Sequence, residues 1–333
     1  MEKVCVAVLG ATGAVGREMV RQLECSPLAV SRLVPLASGR QEGRSLWFRG
    51  DCVPVKKVEE GCFSGVDFVL GAVSSALSRQ LCPEILQAGA VYIDNSSAFR
   101  LEPQVPLVVP EINGPAAAGH RLIANPNCST AIILMAVAAL HQSSPIQRLW
   151  ACTFQAVSGA GQGGIREMQS QLRRWETGEM PEAAVFSAPI VGNVIPQIGE
   201  IGETGYTSEE CKLQNEGRKI LNQPGLLASC TCVRVPVERC HSMAVTVQTA
   251  GPISVEQAKM AIGSFPGCVL SEDALPMPLN TAGLAGVRVG RIRKDQALDN
   301  ALTLWCCGDQ LIKGAAGNAV QILEECVATR AAQ

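Results

Sequence analysis

Apolar residues recur along this chain in two rhythms. In the first third, short unbroken runs, "VCVAVLG", "RLVPLAS", "VDFVLGAV", "AVYIDNSSAF" and "LVVPEI", read as strands, because a strand covered on both faces has no polar side to alternate with. Between them, "REMVRQLEC" and "SALSRQLCPEILQAG" space their apolar residues as helices do, the first ending near Cys25. Strands alternating with helices predict a parallel, doubly wound α/β sheet over residues 1–127. Beyond it, "AIILMAVAAL" predicts a buried helix starting near Ser129. Longer, alternating strands follow: "QRLWACTFQAVSGAG", "SCTCVRVPV", "HSMAVTVQTAG", "GVRVGRIRKD" and "ALTLWCCGD". They predict a second domain of α+β type over residues 128–309, a mixed or antiparallel sheet with helices on one face. A last helix, about 310–330, is expected to return to the first domain.

Composition narrows the field of partners. With 333 residues, 47% of them hydrophobic and 17% charged, the chain is long enough for about two globular domains. A formal charge of −2 creates no field for nucleic acid or an anionic membrane, so the expected partner is a small molecule. No apolar run reaches the roughly 18 residues of a membrane span, and the first is too short for a secretory leader; a soluble, cytoplasmic protein is expected. The 15 cysteines, an odd number, then read as reduced thiols. The densest Cys/His cluster, "CTC" at Cys230–Cys232 with Cys240 and His241, lacks a paired C-x-x-C, and no metal is expected there.

The candidate chemistry begins at "GATGAVG". Gly10, Gly13 and Gly16 follow a strand and open a helix, where absent side chains let backbone N–H groups and the helix dipole meet a pyrophosphate. A site for NAD usually places Asp or Glu about 20 residues further on, at the ribose 2′-hydroxyl. Here the second strand ends in "ASGR", and Ser38 and Arg40 would donate to a 2′-phosphate, so NADP is the expected cofactor despite Glu42 nearby.

"NPNCST" supplies a nucleophile. Asn125 or Asn127 can cap the following helix, which leaves Cys128 beside unpaired N–H groups at its positive end, a position that favours the thiolate. Of three histidines, His120 lies in a loop and His141 closes a helix, while His241 follows "VRVPVERC", a strand that also carries Arg234, whose planar fork suits a carboxylate.

The segments "GATGAVG", "NSSAFR", "NPNCST", "FQAVSGAG", "SEECKLQNEGRKIL" and "CVRVPVERCHS", in this order, resemble the aspartate-β-semialdehyde dehydrogenases of the bacterial type over nearly the whole chain. The resemblance implies an architecture like that of glyceraldehyde-3-phosphate dehydrogenase, with the second domain serving catalysis and homodimerisation. It implies Cys128 as nucleophile, Gln155 as the residue that orients the intermediate and His241 as acid/base. Arg234 and Glu209 would hold the substrate carboxylate and amino group; Arg100, Asn127 and Lys212 would bind phosphate. NADP would lie along Gly10, Ala11, Thr12, Gly13, Ala14, Val15 and Gly16, and touch Ser38, Arg40, Ser74, Ser158, Gly159 and Asn318.

The reaction so implied joins L-aspartate 4-semialdehyde and inorganic phosphate to L-4-aspartyl phosphate through a cysteine thioester, in the route to lysine, threonine and methionine. Phe154 stands where the family commonly has tyrosine, and "GQGGIREMQ" is looser than the usual continuation. The alternatives are the phosphorylating reductase of N-acetylglutamyl phosphate, glyceraldehyde-3-phosphate dehydrogenase, whose cysteine context is typically "SCTTN", and a non-catalytic nucleotide-binding relative.

Overall fold

The computed structural model describes residues 3–41 and 43–331, so Glu42 lies outside the described residues. The chain divides into two compact units, Met1–Asn127 with Ala315–Gln333, and Cys128–Gly314.

In the first unit, β1 (Lys3–Leu9) leads through a glycine turn into α1 (Ala14–Cys25) and β2 (Ala29–Ala37). A hairpin of β3 (Ser45–Phe48) and β4 (Asp51–Pro54) precedes β5 (Lys56–Lys57). Then come β6 (Phe68–Gly71), α2 (Ser75–Gln87), β7 (Val91–Asp94), the short α3 (Pro110–Asn113) and β8 (Leu122–Ala124). The six strands of the main sheet lie in the order β5-β2-β1-β6-β7-β8, every pair parallel.

Alternate residues of β1 enter opposite cores. Val4, Val6 and Val8 pack with Met19 and Leu23 of α1 and with Ile322 and Leu323 near the C-terminus, whereas Cys5, Ala7 and Leu9 pack with Leu81 and Ile85 of α2. Coverage of both faces explains why these strands are unbroken apolar runs. The segment "LVVPEI" departs from the strand expected of it: only Leu107 bridges Ala124, and Pro110, with its fixed φ, starts the turn of α3.

The second unit opens with α4 (Cys128–Ser143), followed by β9 (Ile146–Gln155), α5 (Gly161–Glu176), α6 (Glu210–Ile220), β10 (Leu227–Arg234) and β11 (His241–Thr249). It continues with α7 (Val255–Ser264), β12 (Cys268–Leu270), α8 (Pro278–Thr281), β13 (Val287–Lys294) and β14 (Ala301–Gly308). The sheet order is β10-β9-β11-β14-β13-β12, with β10–β9 and β13–β12 parallel and the central pairs antiparallel. Helix α4 is apolar all round, buried from Ser129 to Leu140, and packs on this sheet together with α6 and α7. The opposite face, with Trp150, Phe154, Thr246 and Trp305, stays half-buried. Cys230 and Cys232 point into the core of β10 as small buried side chains, their sulfurs 3.7 Å apart.

The last helix, α9 (Gly317–Ala331), starts later than the sequence rhythm suggests. Gln310 is buried, receives the Cys240 N–H at 2.8 Å and belongs to the second unit. A widened helical turn, Ile312–Ala316, then brings Gly314 so close to Cys128 that a Cβ there would lie 2.8 Å from the cysteine Cβ.

Candidate active site

Three elements of the second unit end at one edge of its sheet. Strands β9 and β10 run parallel and finish in register at Gln155 and Arg234, and β11, antiparallel to β9, begins at His241. Cys128 opens α4 against this edge, its Sγ 3.4 Å from His241 Nε2. The helix begins at Cys128 rather than Ser129, and Asn125 is no cap: its amide bonds go to Asn95, Ala315 O and Asn318.

His241 is fully buried, and burial with the nearby Arg234 charge pushes its pKa down to about 3. Its Nδ1 accepts the Ala156 N–H at 3.1 Å, so the neutral ring carries its proton on Nε2 and presents it to the cysteine sulfur. The Ala156 carbonyl in turn accepts Arg234 Nη1 at 2.6 Å. Arg234 is 6% exposed; burial lowers its pKa, while the Cys128 and Glu209 charges oppose the fall. Gly159 has no Cβ because one would meet Arg234 Nη1 at 2.7 Å and His241 Cε1 at 3.3 Å.

Gln155 reaches Glu209 and the His241 ring, each at 3.4 Å, and Glu209 pairs with Lys212 at 2.7 Å one helical turn along α6. Cys128, Gln155, Glu209, Lys212, Arg234 and His241 thus form one constellation. Ser158 and Gly159 border it, Ser158 bonded to Glu238 O and Gln310.

The first unit holds the remaining sequence candidates. Its strand order reverses between β1 and β6, the crevice where doubly wound sheets take ligands. Gly10 stands there with φ +84°, and an added Cβ would lie 2.4 Å from Ala72 O; on Gly16 it would lie 2.1 Å from Gly10 O. Thr12, Ala14 and Val15 complete the turn, and no side chain caps the N-terminus of α1, whose amides can meet a phosphate. Ser38 follows β2, and Arg40 lies exposed in the next turn. Lys57, which pairs with Ala37, brings a second cation that sequence reading missed; its strand is two residues long, too short for a periodic signal.

Ser74 caps α2 through Leu77 N–H. Arg100, 7% exposed, donates to Asn125 O at 2.8 Å and Asn95 O at 2.9 Å, bracing the loop before Cys128. Asn318, wholly buried, donates to Asn125 Oδ1 and Val108 O. Asn127 ends this unit, 7% exposed.

A doubly wound sheet with a glycine cradle, and a mixed sheet with a cysteine–histidine pair at its edge, fit the semialdehyde dehydrogenase class. Family models match both halves: semialdehyde dehydrogenase, NAD binding domain, over residues 5–120, and semialdehyde dehydrogenase, dimerisation domain, over residues 137–313. The chain belongs to the aspartate-semialdehyde dehydrogenase family. It is 45% identical to the aspartate-semialdehyde dehydrogenase of Synechocystis sp. over 324 residues, 96% of each chain. With that of Aquifex aeolicus the identity is 40% over 328 residues, again 96% of each. The crystal structure of aspartate semialdehyde dehydrogenase II complexed with ASA from Vibrio cholerae matches with a TM-score of 0.96 at 40% identity, covering 98% of both chains.

Proposed function

We propose that this enzyme converts L-aspartate 4-semialdehyde, inorganic phosphate and NADP+ into L-4-aspartyl phosphate and NADPH, the reverse direction serving lysine, threonine and methionine synthesis. The observation that carries the reading is Cys128 Sγ held 3.4 Å from a buried, neutral His241 whose Nε2 proton faces the sulfur. The Cys128 thiolate adds to the aldehyde carbon, and the resulting oxyanion takes a hydrogen bond from His241 Nε2–H, with Gln155 beside it. The neutral ring acts here as a hydrogen-bond donor rather than as a proton-transferring acid or base, since Ala156 N–H holds Nδ1. NADP+, when bound, supplies the hydride acceptor through which the hemithioacetal becomes a thioester. Phosphate then attacks the thioester carbon and the thiolate leaves. Arg234 answers the substrate carboxylate, Glu209 its ammonium, and Lys212 the phosphate.

Steady-state assays with the aspartate and N-acetylglutamate semialdehydes side by side test the substrate. Phosphate-dependent turnover of the aspartate compound alone is expected, and preference for the acetylated one would overturn the assignment.

The glycine cradle fits the pyrophosphate of either dinucleotide, and the cations Arg40 and Lys57 at the end of β2 favour the 2′-phosphate of NADP. Arg40→Ala is expected to raise KM for NADP+ about tenfold and to leave that for NAD+ nearly unchanged, as loss of one charge-assisted contact would. An equal change for both would remove Arg40 from the cofactor site.

The half-buried sheet face with Trp150, Phe154 and Trp305 lies within the match to the dimerisation domain, and a second copy of the chain is its natural cover. Light scattering should give about twice the 35.1 kDa of one chain. A monomer at working concentration would contradict the homodimer.

A further inference from the structure

The connection from α5 to α6 runs from residue 177 to 209 with no helix or strand of its own. Loops of that length inside compact domains usually have work to do. Its first half is fastened to α5. The Glu167 carboxylate accepts Ala184 N–H at 3.1 Å and also Val185 N–H, and Gln171 Oε1 accepts Ile190 N–H at 2.8 Å and Val191 N–H at 3.2 Å. Gln171 Nε2 returns a bond to Glu182 O at 2.9 Å. Ile190, Val191 and Ile195 bury with Val157 and Met168 in an apolar cluster separate from the cores of the first unit, and Phe186 packs against it.

Phe186 is the loop residue that meets the site. Arg234 Cζ lies 5.8 Å from its ring centroid. Gly164 of α5 makes the seat, since a Cβ there would come within 3.0 Å of Phe186 Cζ. From the strand side, Ile195 exchanges both backbone hydrogen bonds with Arg234, at 3.0 and 2.8 Å. The guanidinium is therefore held by one carbonyl and one aromatic face, while the bridge fixes the backbone that carries it. A ring attracts the cation without taking any of its N–H donors, which a carboxylate or carbonyl in the same place would consume. The donor fork remains for an incoming carboxylate.

We propose that Phe186 is a positioning residue that fixes the Arg234 guanidinium for the substrate carboxylate, and that the loop carrying it shapes substrate specificity at that end of the site. The inference rests on the reading of Arg234 as the carboxylate holder.

The test is steady-state kinetics with L-aspartate 4-semialdehyde, phosphate and NADP+ on the full-length enzyme. Phe186→Leu keeps an apolar side chain on the cluster but removes the aromatic face. It should raise KM for the semialdehyde about tenfold, with kcat within about twofold and KM for NADP+ unchanged. A 3,5-difluorophenylalanine at 186, with the ring tip free to sit on Gly164 and a weaker negative face, should give a smaller rise, about threefold. Arg234→Ala separates the two readings. If it leaves KM for the semialdehyde unchanged, the role of Arg234 fails. If it raises KM while Phe186→Leu behaves as wild type, or if Phe186→Leu lowers kcat at constant KM, the Phe186 inference alone is overturned.

Discussion

Cys128→Ala is expected to lower phosphate-dependent reduction of NADP+ by L-aspartate 4-semialdehyde by about four orders of magnitude or more, with NADP+ affinity unchanged. The size of the effect follows from covalency. Without sulfur there is no hemithioacetal to lose hydride and no thioester for phosphate to attack, and the neighbouring Cys230, Cys232 and Cys240 are buried side chains of the sheet unit. The fold should tolerate the change, because Cys128 is half-buried at a helix start and alanine suits a helix. NADP+ binding, followed by quenching of protein fluorescence, reports on the first unit independently. Residual turnover above about one per cent would mean that another group forms the covalent bond.

His241→Asn should lower kcat about a hundredfold to a thousandfold, the usual scale for losing one hydrogen-bond donor aimed at the developing oxyanion. The variant also tests the neutral ring. With a pKa of about 3 in the folded protein against 6.5 as an ordinary value, the unfolded chain binds the proton more readily. The stability this lends is complete above pH 6.5 and falls as the pH drops towards 3. Between pH 7 and pH 5 the wild type should lose about 2 kcal/mol through this residue, a loss that denaturant unfolding should find absent in His241→Asn. An equal loss in both proteins would place a charged ring at the site. For the same reason, no limb of the kcat/KM profile between pH 5 and 8 should belong to His241.

Much of the fold was legible because its signals are local. The run from Val4 to Leu9, the glycine turn and α1 read directly from periodicity and from the steric demand at Gly10 and Gly16. "NPNCST" was readable as the start of a helix because the apolar run behind it is long enough to be nothing else. The hairpin of β3 and β4 escaped notice because its turn is Arg49-Gly50, both at positive φ, rather than the more familiar Asn-Gly. The start of α9 was misplaced because Gln310 to Gly314 are held by tertiary contacts: Gln310 on Ser158 and Cys240, Gly314 on Cys128. Such partners lie more than 60 residues away in sequence, beyond the reach of any periodicity. Phe186 and Lys57 were invisible for the same reason. A lone aromatic in a loop and a lysine in a two-residue strand acquire their places only when Arg234 and Ala37 are brought beside them.

If catalysis passes through a thioester on Cys128, mixing the enzyme with NADP+ and L-aspartate 4-semialdehyde in the absence of phosphate should arrest it there. One equivalent or less of NADPH per active site should appear in a single burst and turnover should then stall. Mass spectrometry of the quenched protein should find an aspartyl adduct on the peptide that carries Cys128, and added phosphate should discharge it. Continuous turnover without phosphate, or a burst that leaves Cys128 unmodified, would contradict a thioester on Cys128.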